Sequence, residues 1–216
     1  MRLGIFGGTF DPIHLGHLIL AEHCREACRL DRVLFIPAGQ PPHKTERQIT
    51  PARQRLEMVE LAIAGHAAFG VSEIELNRPG PSYSAETLAD LAKQYSEAEL
   101  FFLMGSDSLA DLRLWYQPAR IAELATLVVA TRPGCEQPAV DTIRKVIGDA
   151  ATERLLQHVV EIPLVQISSS MIRSRTAAGR SIRFMVPRAV ECYIETNGLY
   201  RMAEGGGQRT EGQKSS

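Results

Sequence analysis

The stretch that decides the fold lies at the start of the chain, where residues 3–17 read LGIFGGTFDPIHLGH. The first four of these residues form a short apolar run, which is typical of a buried strand. Gly7 and Gly8 follow, and from about His14 to Arg29 the apolar residues recur at helical spacing. This stretch therefore predicts a strand, a glycine loop and a helix in direct succession.

The same alternation of short apolar runs and amphipathic stretches continues along the chain. It predicts five further strands, which are Val33–Ile36, Phe69–Leu76, Leu100–Met104, Thr126–Thr131 and Val159–Ile167. Helices are predicted over residues 51–64, 84–95, 118–124, 138–157 with a break near 148, 169–178 and 187–197. Strands that alternate with helices favour an α/β fold, a doubly wound parallel sheet of the Rossmann-like type.

The ends of the second helix and of the domain follow from local residue types. Thr50 and Pro51 have the pattern of an N-cap and a first helical residue. We interpret residues 1–202 as a single domain, a size that one core can support. Residues 203–216 hold four glycines and no large apolar residue, so we predict that they form a disordered tail.

The composition is that of a soluble globular protein. Of the 216 residues, 44% are hydrophobic and 23% are charged, and the formal net charge is −1. This balance does not favour a nucleic acid or a membrane as partner, whereas a small anionic ligand needs only a local basic site. The cysteines, at positions 24, 28, 135 and 192, show neither zinc-ligand spacing nor a disulfide framework. No apolar run is long enough for a signal peptide or a membrane span, so we expect a cytoplasmic protein with free thiols and no metal held by protein ligands.

The glycine loop and the start of the following helix form the first candidate site. In a doubly wound sheet, ligands bind outside the carboxyl ends of strands, and phosphates favour helix N-termini. The missing Cβ atoms of Gly7 and Gly8 let the backbone approach a phosphate, and Gly16 leaves room for a ligand against the helix. His14 and His17 lie three residues apart on one side of the helix, so their imidazoles predict a compact donor cluster for anionic oxygens.

Each of these features has a structural interpretation when it is taken alone. A glycine pair is a common turn, and two histidines at helical spacing can be surface residues or core partners. Their combination directly after a strand favours the functional interpretation. The stretch is not a dinucleotide fingerprint, because the third glycine is missing, and it is not a P-loop, because no Gly-Lys-Ser/Thr follows.

A second candidate site lies late in the chain, where residues 167–173 read ISSSMIR. Ser168 and Ser169 precede a helical stretch, so capping alone and phosphate binding both remain open for them. Arg173 lies about one turn into the helix and could reach phosphates at its start as a forked donor. Lys44, on a proline-rich loop after the second strand, is a further cation, which taken alone is an ordinary surface lysine.

Several motifs of the chain resemble those of a known superfamily. Residues 7–17 resemble the G-G-T-F-D-P-x-H-x-G-H signature of the nucleotidyltransferases at every fixed position. Residues 167–173 resemble the second signature, I-S-S-T-x-I-R, with serine where threonine is usual at 170. Three further stretches resemble the P-S-Y-T, G-x-D-S-L and W-Y patterns of bacterial nicotinate mononucleotide adenylyltransferases, and they are PSYS at 81–84, GSDSL at 105–109 and WY at 115–116. The resemblance extends over nearly the whole chain up to Tyr200.

This resemblance implies one nucleotidyltransferase domain that transfers the adenylyl group of ATP to nicotinate mononucleotide, with Mg²⁺ bound mainly through the ATP phosphates. The implied catalytic residues are His14, His17 and Arg173. The implied ATP-binding residues are Gly8, Thr9, Phe10, Lys44, Gly105, Asp107, Arg132, Ser168 and Ser169. Arg132 is included because the loop around it lies near the adenine in the family.

The resemblance also implies which residues bind the acceptor. Trp115 would stack on the nicotinate ring, and the backbone N–H groups of Ser84 and Tyr116 would hold its carboxylate. Without the family, a core anchor is an equally good interpretation of Trp115. Asp107 follows a predicted strand, where its carboxylate can accept hydrogen bonds from ribose hydroxyls or cap the next helix.

The sequence disfavours some alternative functions and leaves others open. Phosphopantetheine adenylyltransferases resemble a shorter chain with threonine in place of His14, which argues against them, whereas the sequence does not decide between nicotinate and nicotinamide mononucleotide. A non-catalytic nucleotide-binding protein is disfavoured because His17 and Arg173 are present. An NAD-dependent oxidoreductase is disfavoured by the glycine spacing. The choice between monomer and homodimer stays undecided.

Overall fold

The computed structural model describes residues 1–41, 49–132 and 139–201. The strands in this part of the chain are β1 Arg2–Gly8, β2 Arg32–Pro37, β3 Phe69–Val71, β4 Glu99–Gly105, β5 Thr126–Thr131 and β6 Val159–Glu161. The helices are α1 Leu15–Ala27, α2 Ala52–Ile63, α3 Ser84–Gln94, α4 Ser106–Ala110, α5 Pro118–Leu124, α6 Val140–Ile147, α7 Asp149–Leu156, α8 Ser169–Ala177 and α9 Arg188–Thr196. A 3₁₀ turn spans Leu112–Leu114.

The strands of the described residues form one parallel sheet in the order β3-β2-β1-β4-β5-β6. This confirms the predicted doubly wound α/β fold. The chain runs outward from β1 to β3 and then returns to β4 on the other side of β1, so the direction of winding reverses between β1 and β4. Ligands bind outside the carboxyl ends of the strands at such a reversal, and this is where Gly8 ends β1 and Gly105 ends β4.

Alternate side chains of β1 pack into two apolar layers, one on each face of the sheet. Leu3 and Ile5 belong to the layer that α3 and α5 complete. Phe6 belongs to the opposite layer, to which α1, α2 and α9 contribute. Each fully buried apolar side chain contributes roughly 1.5–3 kcal/mol. The two layers therefore hold the helices against the sheet and fix the loops at its carboxyl edge.

Two predicted strands are longer than the observed ones. β3 ends at Val71 instead of Leu76, because residues 74–76 turn and the Asn77 N–H bonds to the Glu73 carbonyl at 3.0 Å. β6 ends at Glu161 instead of Ile167, because Pro163 has no N–H with which to extend the ladder. In these stretches Ile74 and Ile167 pack against the core outside the strands.

The predicted starts of two helices also need correction. Thr50 is not the N-cap of α2: the cap position is Pro51, and the Thr50 carbonyl accepts a hydrogen bond from Arg55 at 2.8 Å. Asp107 is not an N-cap either, because α4 already begins at Ser106 with Gly105 as its cap residue. Asp107 is therefore available for a role other than capping.

The cysteines, the C-terminal tail and the helix lengths were also the subject of predictions. Cys24, Cys28 and Cys192 are free thiols, as predicted, and Cys135 lies outside the described residues. The tail predicted over 203–216 also lies outside them. Within the described ranges, no helix is both long enough and apolar enough to span a membrane.

Candidate active site

The glycine loop leaves β1 in a conformation that depends on Gly8. A Cβ atom at Gly8 would lie 2.8 Å from the ring of Phe10, which folds back over the glycine and is only 2% exposed. The Phe10 side chain is therefore part of the core, where it meets Phe6 edge-to-face at 5.5 Å. A nucleotide at this loop would meet the backbone of Phe10 and not its ring.

The two histidines form a stacked pair at the start of α1. Their ring centroids are 3.7 Å apart, and the backbone N–H of His14 donates to Nδ1 of His17 at 3.2 Å. Because Nδ1 of His17 accepts this bond, the hydrogen of the neutral ring resides on Nε2. His17 thus carries an N–H donor at Nε2 whether its ring is neutral or charged.

His14 is buried, with 6% of its surface exposed, and its Nδ1 has no hydrogen-bond partner in the described part of the chain. Burial, followed by the nearby charge of Arg132, lowers the pKa of His14 to about 4. The predicted donor cluster therefore contains an uncharged His14 at neutral pH, with a single ring N–H to offer.

The space beside Gly16 is filled by protein, which corrects the prediction that a ligand lies there. A Cβ at Gly16 would come within 3.1 Å of the His14 ring. The glycine is needed because the buried imidazole of His14 packs against the helix backbone at this point.

The low pKa of His14 predicts a loss of stability in mild acid. The unfolded chain binds a proton at this residue below about pH 6.5, whereas the folded chain does so only near pH 4. The contribution of neutral His14 to the free energy of unfolding is therefore fully present above pH 6.5, and about 3 kcal/mol of it should be lost as the pH is lowered to 4. Urea unfolding between pH 7 and 4 measures this loss. His14→Gln should flatten the curve, while His23→Gln on the same helix should not. Equal slopes in wild type and His14→Gln would contradict the assignment.

The second candidate site joins the first directly. Ser169 Oγ donates to the Pro12 carbonyl at 2.9 Å, and Arg173 Nη1 donates to the Asp11 carbonyl at 2.6 Å. Ser168 caps α8 by accepting the Met171 N–H at 3.2 Å, so the capping interpretation holds for this serine. The two signature stretches thus contact each other, and the N-terminus of α8 lies against the loop that precedes α1.

A cavity of about 410 Å³ opens beside the glycine loop. Its lining includes residues 7–9 of the glycine loop together with Ser84, Trp115 and Tyr116. Asp107 also lines the cavity, with its side chain toward solvent. The fold therefore places residues predicted for ATP and residues predicted for the acceptor around one space.

The residues predicted for the acceptor come from two short segments, one at 115–116 and one at the start of α3. Trp115 is half-buried after the 3₁₀ turn, and its ring meets the edge of Phe102 at 6.0 Å, so it is both packed against the core and open to the cavity. Tyr116 is 47% exposed, and its ring lies 4.7 Å from that of Tyr83. Ser84 is the first residue of α3, where backbone N–H groups have no acceptor within the helix.

Of two predicted cations, the structure describes Arg132 but not Lys44. Arg132 directly follows β5, and its charge acts on His14, which places it close to the start of α1. Lys44 lies outside the described residues.

Sequence reasoning missed two buried charged residues at this site. Arg55 is 1% exposed and donates to the carbonyls of Thr9 at 2.7 Å and Ala38 at 2.6 Å. Glu75 is 7% exposed and lines the cavity. The helical pattern of α2 places Arg55 next to the buried Leu56. This is only a weak signal, because an arginine beside an apolar position is usually exposed, as Arg53 is.

The site geometry and a comparison of families agree on the class of protein. The family model described as cytidylyltransferase-like matches residues 5–175, which include the end of β1, the glycine loop and the start of α8. The chain is therefore a nucleotidyltransferase. Its glycine loop, its paired histidines and the start of α8 lie together where the winding of the parallel sheet reverses.

Comparison with related sequences and with a solved structure identifies the family within the nucleotidyltransferases. A protein of Thermomicrobium roseum named "Probable nicotinate-nucleotide adenylyltransferase" is 54% identical over 203 residues, which cover 94% of this chain and 93% of the relative. A protein of the same name from Thermus thermophilus is 46% identical over 93% of this chain and 100% of its own. Nicotinic acid mononucleotide adenylyltransferase of Plasmodium falciparum complexed with NaAD, at 16% identity, shares the fold with a TM-score of 0.71 over 92% of this chain and 97% of its own. The chain belongs to the nicotinate-nucleotide adenylyltransferases, a family of nucleotidyltransferase enzymes.

Proposed function

We propose that this enzyme transfers the adenylyl group of ATP to nicotinate mononucleotide and so forms nicotinate adenine dinucleotide and pyrophosphate. The observation that carries the proposal is the cavity lined by the glycine loop and by Ser84, Trp115 and Tyr116. It brings together the glycine-loop backbone, which suits phosphates, with an aromatic ring and a helix N-terminus. The names of the relatives support the same reaction.

The chemistry of the acceptor makes a direct transfer sufficient. Its phosphate monoester has a second pKa of about 6, so it is largely a dianion at neutral pH and needs no general base. A phosphate oxygen of the acceptor attacks the α-phosphorus of ATP in line. The bond from that phosphorus to the bridging oxygen breaks, and pyrophosphate leaves with the electron pair. No covalent enzyme intermediate is required, and the protein's task is to position two anions and stabilise the charge between them.

We assign this task to His14, His17 and Arg173. His17 presents its Nε2–H, as its bond from the His14 backbone requires. Arg173 uses one of its five N–H donors on the Asp11 carbonyl, so the anchored guanidinium retains donors for phosphate oxygens. Neutral His14 adds a single donor, and Lys44 is proposed as a further phosphate contact.

The nucleoside of ATP is assigned to the carboxyl ends of β4 and β5 and to the start of α8. Gly105 and Asp107 would face the ribose, and the loop that begins at Arg132 would lie near the adenine. The first backbone N–H groups of α8, at Ser168 and Ser169, would face the phosphates. Mg²⁺ would enter as Mg-ATP, held mainly by phosphates and water because it dehydrates reluctantly.

The proposal is tested by pyrophosphate release from purified protein with Mg-ATP and one acceptor per reaction. Nicotinate mononucleotide should be strongly preferred over nicotinamide mononucleotide and phosphopantetheine. A preference for either of the others would overturn the acceptor assignment, and no release with any of them would overturn the proposed activity.

Trp115→Ala should weaken the acceptor and not ATP. Stacking of a base on an aromatic side chain contributes about 1–3 kcal/mol, so the KM for nicotinate mononucleotide should rise roughly 10- to 100-fold. Steady-state kinetics with each substrate varied in turn measures the effect. Leu114→Ala, an exposed neighbour on the same turn, is the matched control. A rise in the KM for ATP alone would show that the acceptor site is misplaced.

A further inference from the structure

A carboxylate is buried in the wall of the acceptor cavity. Glu75 lies in the turn after β3, is 7% exposed and lines the cavity beside Ser82, Tyr83 and Ser84. Burial raises the pKa of Glu75, and its hydrogen-bond donors oppose that rise. The mechanism above makes no use of this group, although a buried carboxylate is costly unless it is well bonded.

Glu75 lies where three segments meet at the cavity. Thr87 Oγ1, in the first turn of α3, donates to Glu75 Oε1 at 2.7 Å. The Ser82 side chain and the Gly39 backbone N–H lie close enough to the Glu75 carboxylate to lower its pKa. A single carboxylate therefore lies between the loop after β2, the segment before α3 and α3 itself.

The same segments are held close together by the backbone. Ser82 Oγ accepts the N–H groups of Gly39 at 3.1 Å and Gln40 at 3.2 Å. A Cβ at Gly39 would clash with the Glu75 carbonyl oxygen, so only glycine permits this approach. The loop after β2 is thus packed directly on the turn that carries Glu75.

Thr87 fixes the direction of these hydrogen bonds. Its hydroxyl accepts from Arg78 Nη2 at 2.8 Å and donates to Glu75. Arg78 in turn contacts Asp90 at 3.4 Å. Glu75 is therefore surrounded by donors and must act as an acceptor, a role that a glutamine amide fills only in part.

We propose that Glu75 is a positioning residue of the acceptor site. It accepts a hydrogen bond from Thr87 and lies beside Ser82, the two residues lying on either side of Ser84 in the chain, and so holds the backbone N–H of Ser84 toward the carboxylate of the acceptor. This inference rests on the proposed function, because that function places the nicotinate carboxylate at Ser84.

The test compares Glu75→Gln with wild type in steady-state kinetics. The KM for nicotinate mononucleotide should rise roughly tenfold, equivalent to about 1.4 kcal/mol, while kcat and the KM for ATP stay close to wild type. Glu73→Gln is the matched control, since Glu73 lies two residues earlier and contacts Arg53 at the surface at 3.3 Å. Thr87→Val should raise the same KM, and Thr87→Ser, which keeps the hydroxyl, should not.

Three outcomes would overturn the inference. They are an unchanged acceptor KM in Glu75→Gln, equal changes in the KM of both substrates, and a fall in kcat at constant KM. The wild-type reactions test the proposed function separately. If wild type prefers another acceptor, that function fails, whereas failure of the Glu75 inference alone leaves the wild-type preference for nicotinate mononucleotide intact.

Discussion

Replacing His17 by alanine is expected to lower turnover by about 10²- to 10³-fold while the protein remains folded. This is the usual loss when one preorganised donor to a developing negative charge is removed. His17 is suited to that role because its Nδ1 is occupied by the His14 backbone N–H, which leaves the hydrogen on Nε2. Pyrophosphate release under saturating substrates measures the effect.

A second variant separates this chemical role from the structural role of the ring. In His17→Asn the side-chain oxygen can still accept the His14 N–H, but nothing replaces Nε2. Turnover should therefore fall as far as in the alanine variant, while stability stays nearer to wild type, since a helix cap contributes about 1 kcal/mol. His23→Ala, on the same helix but six residues further from the glycine loop, is the control. Near-normal turnover in His17→Asn would refute the assignment.

Arg55→Met should destabilise the protein by at least about 3 kcal/mol. Arg55 is buried and donates to the carbonyls of Thr9, Ala38 and Thr50 at 2.6–2.8 Å, so its removal takes one hydrogen-bond donor from each of three carbonyls. Loss of the partner of a buried hydrogen-bonding group costs about 1–3 kcal/mol for each group, so three such losses give at least about 3 kcal/mol. Thermal unfolding should show a midpoint lower by about 2–4 °C for each kcal/mol.

The matched control for this change is Arg53→Met, two residues earlier on α2. Arg53 contacts Glu57 and Glu73 with a side chain that is 63% exposed, so its loss should alter stability by well under about 1 kcal/mol. Arg55→Lys should recover only part of the stability, since an ammonium lacks the fork that reaches separate carbonyls. Equal midpoints for Arg53→Met and Arg55→Met would contradict this account of Arg55.

The sheet was predictable because its signals are local. The apolar runs at Val33–Ile36, Leu100–Met104 and Thr126–Thr131 are bounded by turn residues, and each lies within an observed strand. Strand predictions failed at Ile74 and Ile167, which pack on the core outside the strands. Local pattern does not distinguish these two uses of an apolar side chain, because pairing requires a neighbouring strand.

The sequence by itself determined the α/β class, the glycine loop at the end of β1, and the two motifs of the candidate site. These depend on residue types at short spacing, such as His14 and His17 on one helical turn. Only the tertiary structure showed that Ser169 and Arg173 bond to the loop before α1. It also decided the charge states that the chemistry depends on. His14 is neutral because it is buried near Arg132, and the burial of Arg55 and Glu75 arises from segments far apart in the chain. Desolvation and long-range hydrogen bonds are properties of the packed molecule, which is why residue spacing alone did not reveal them.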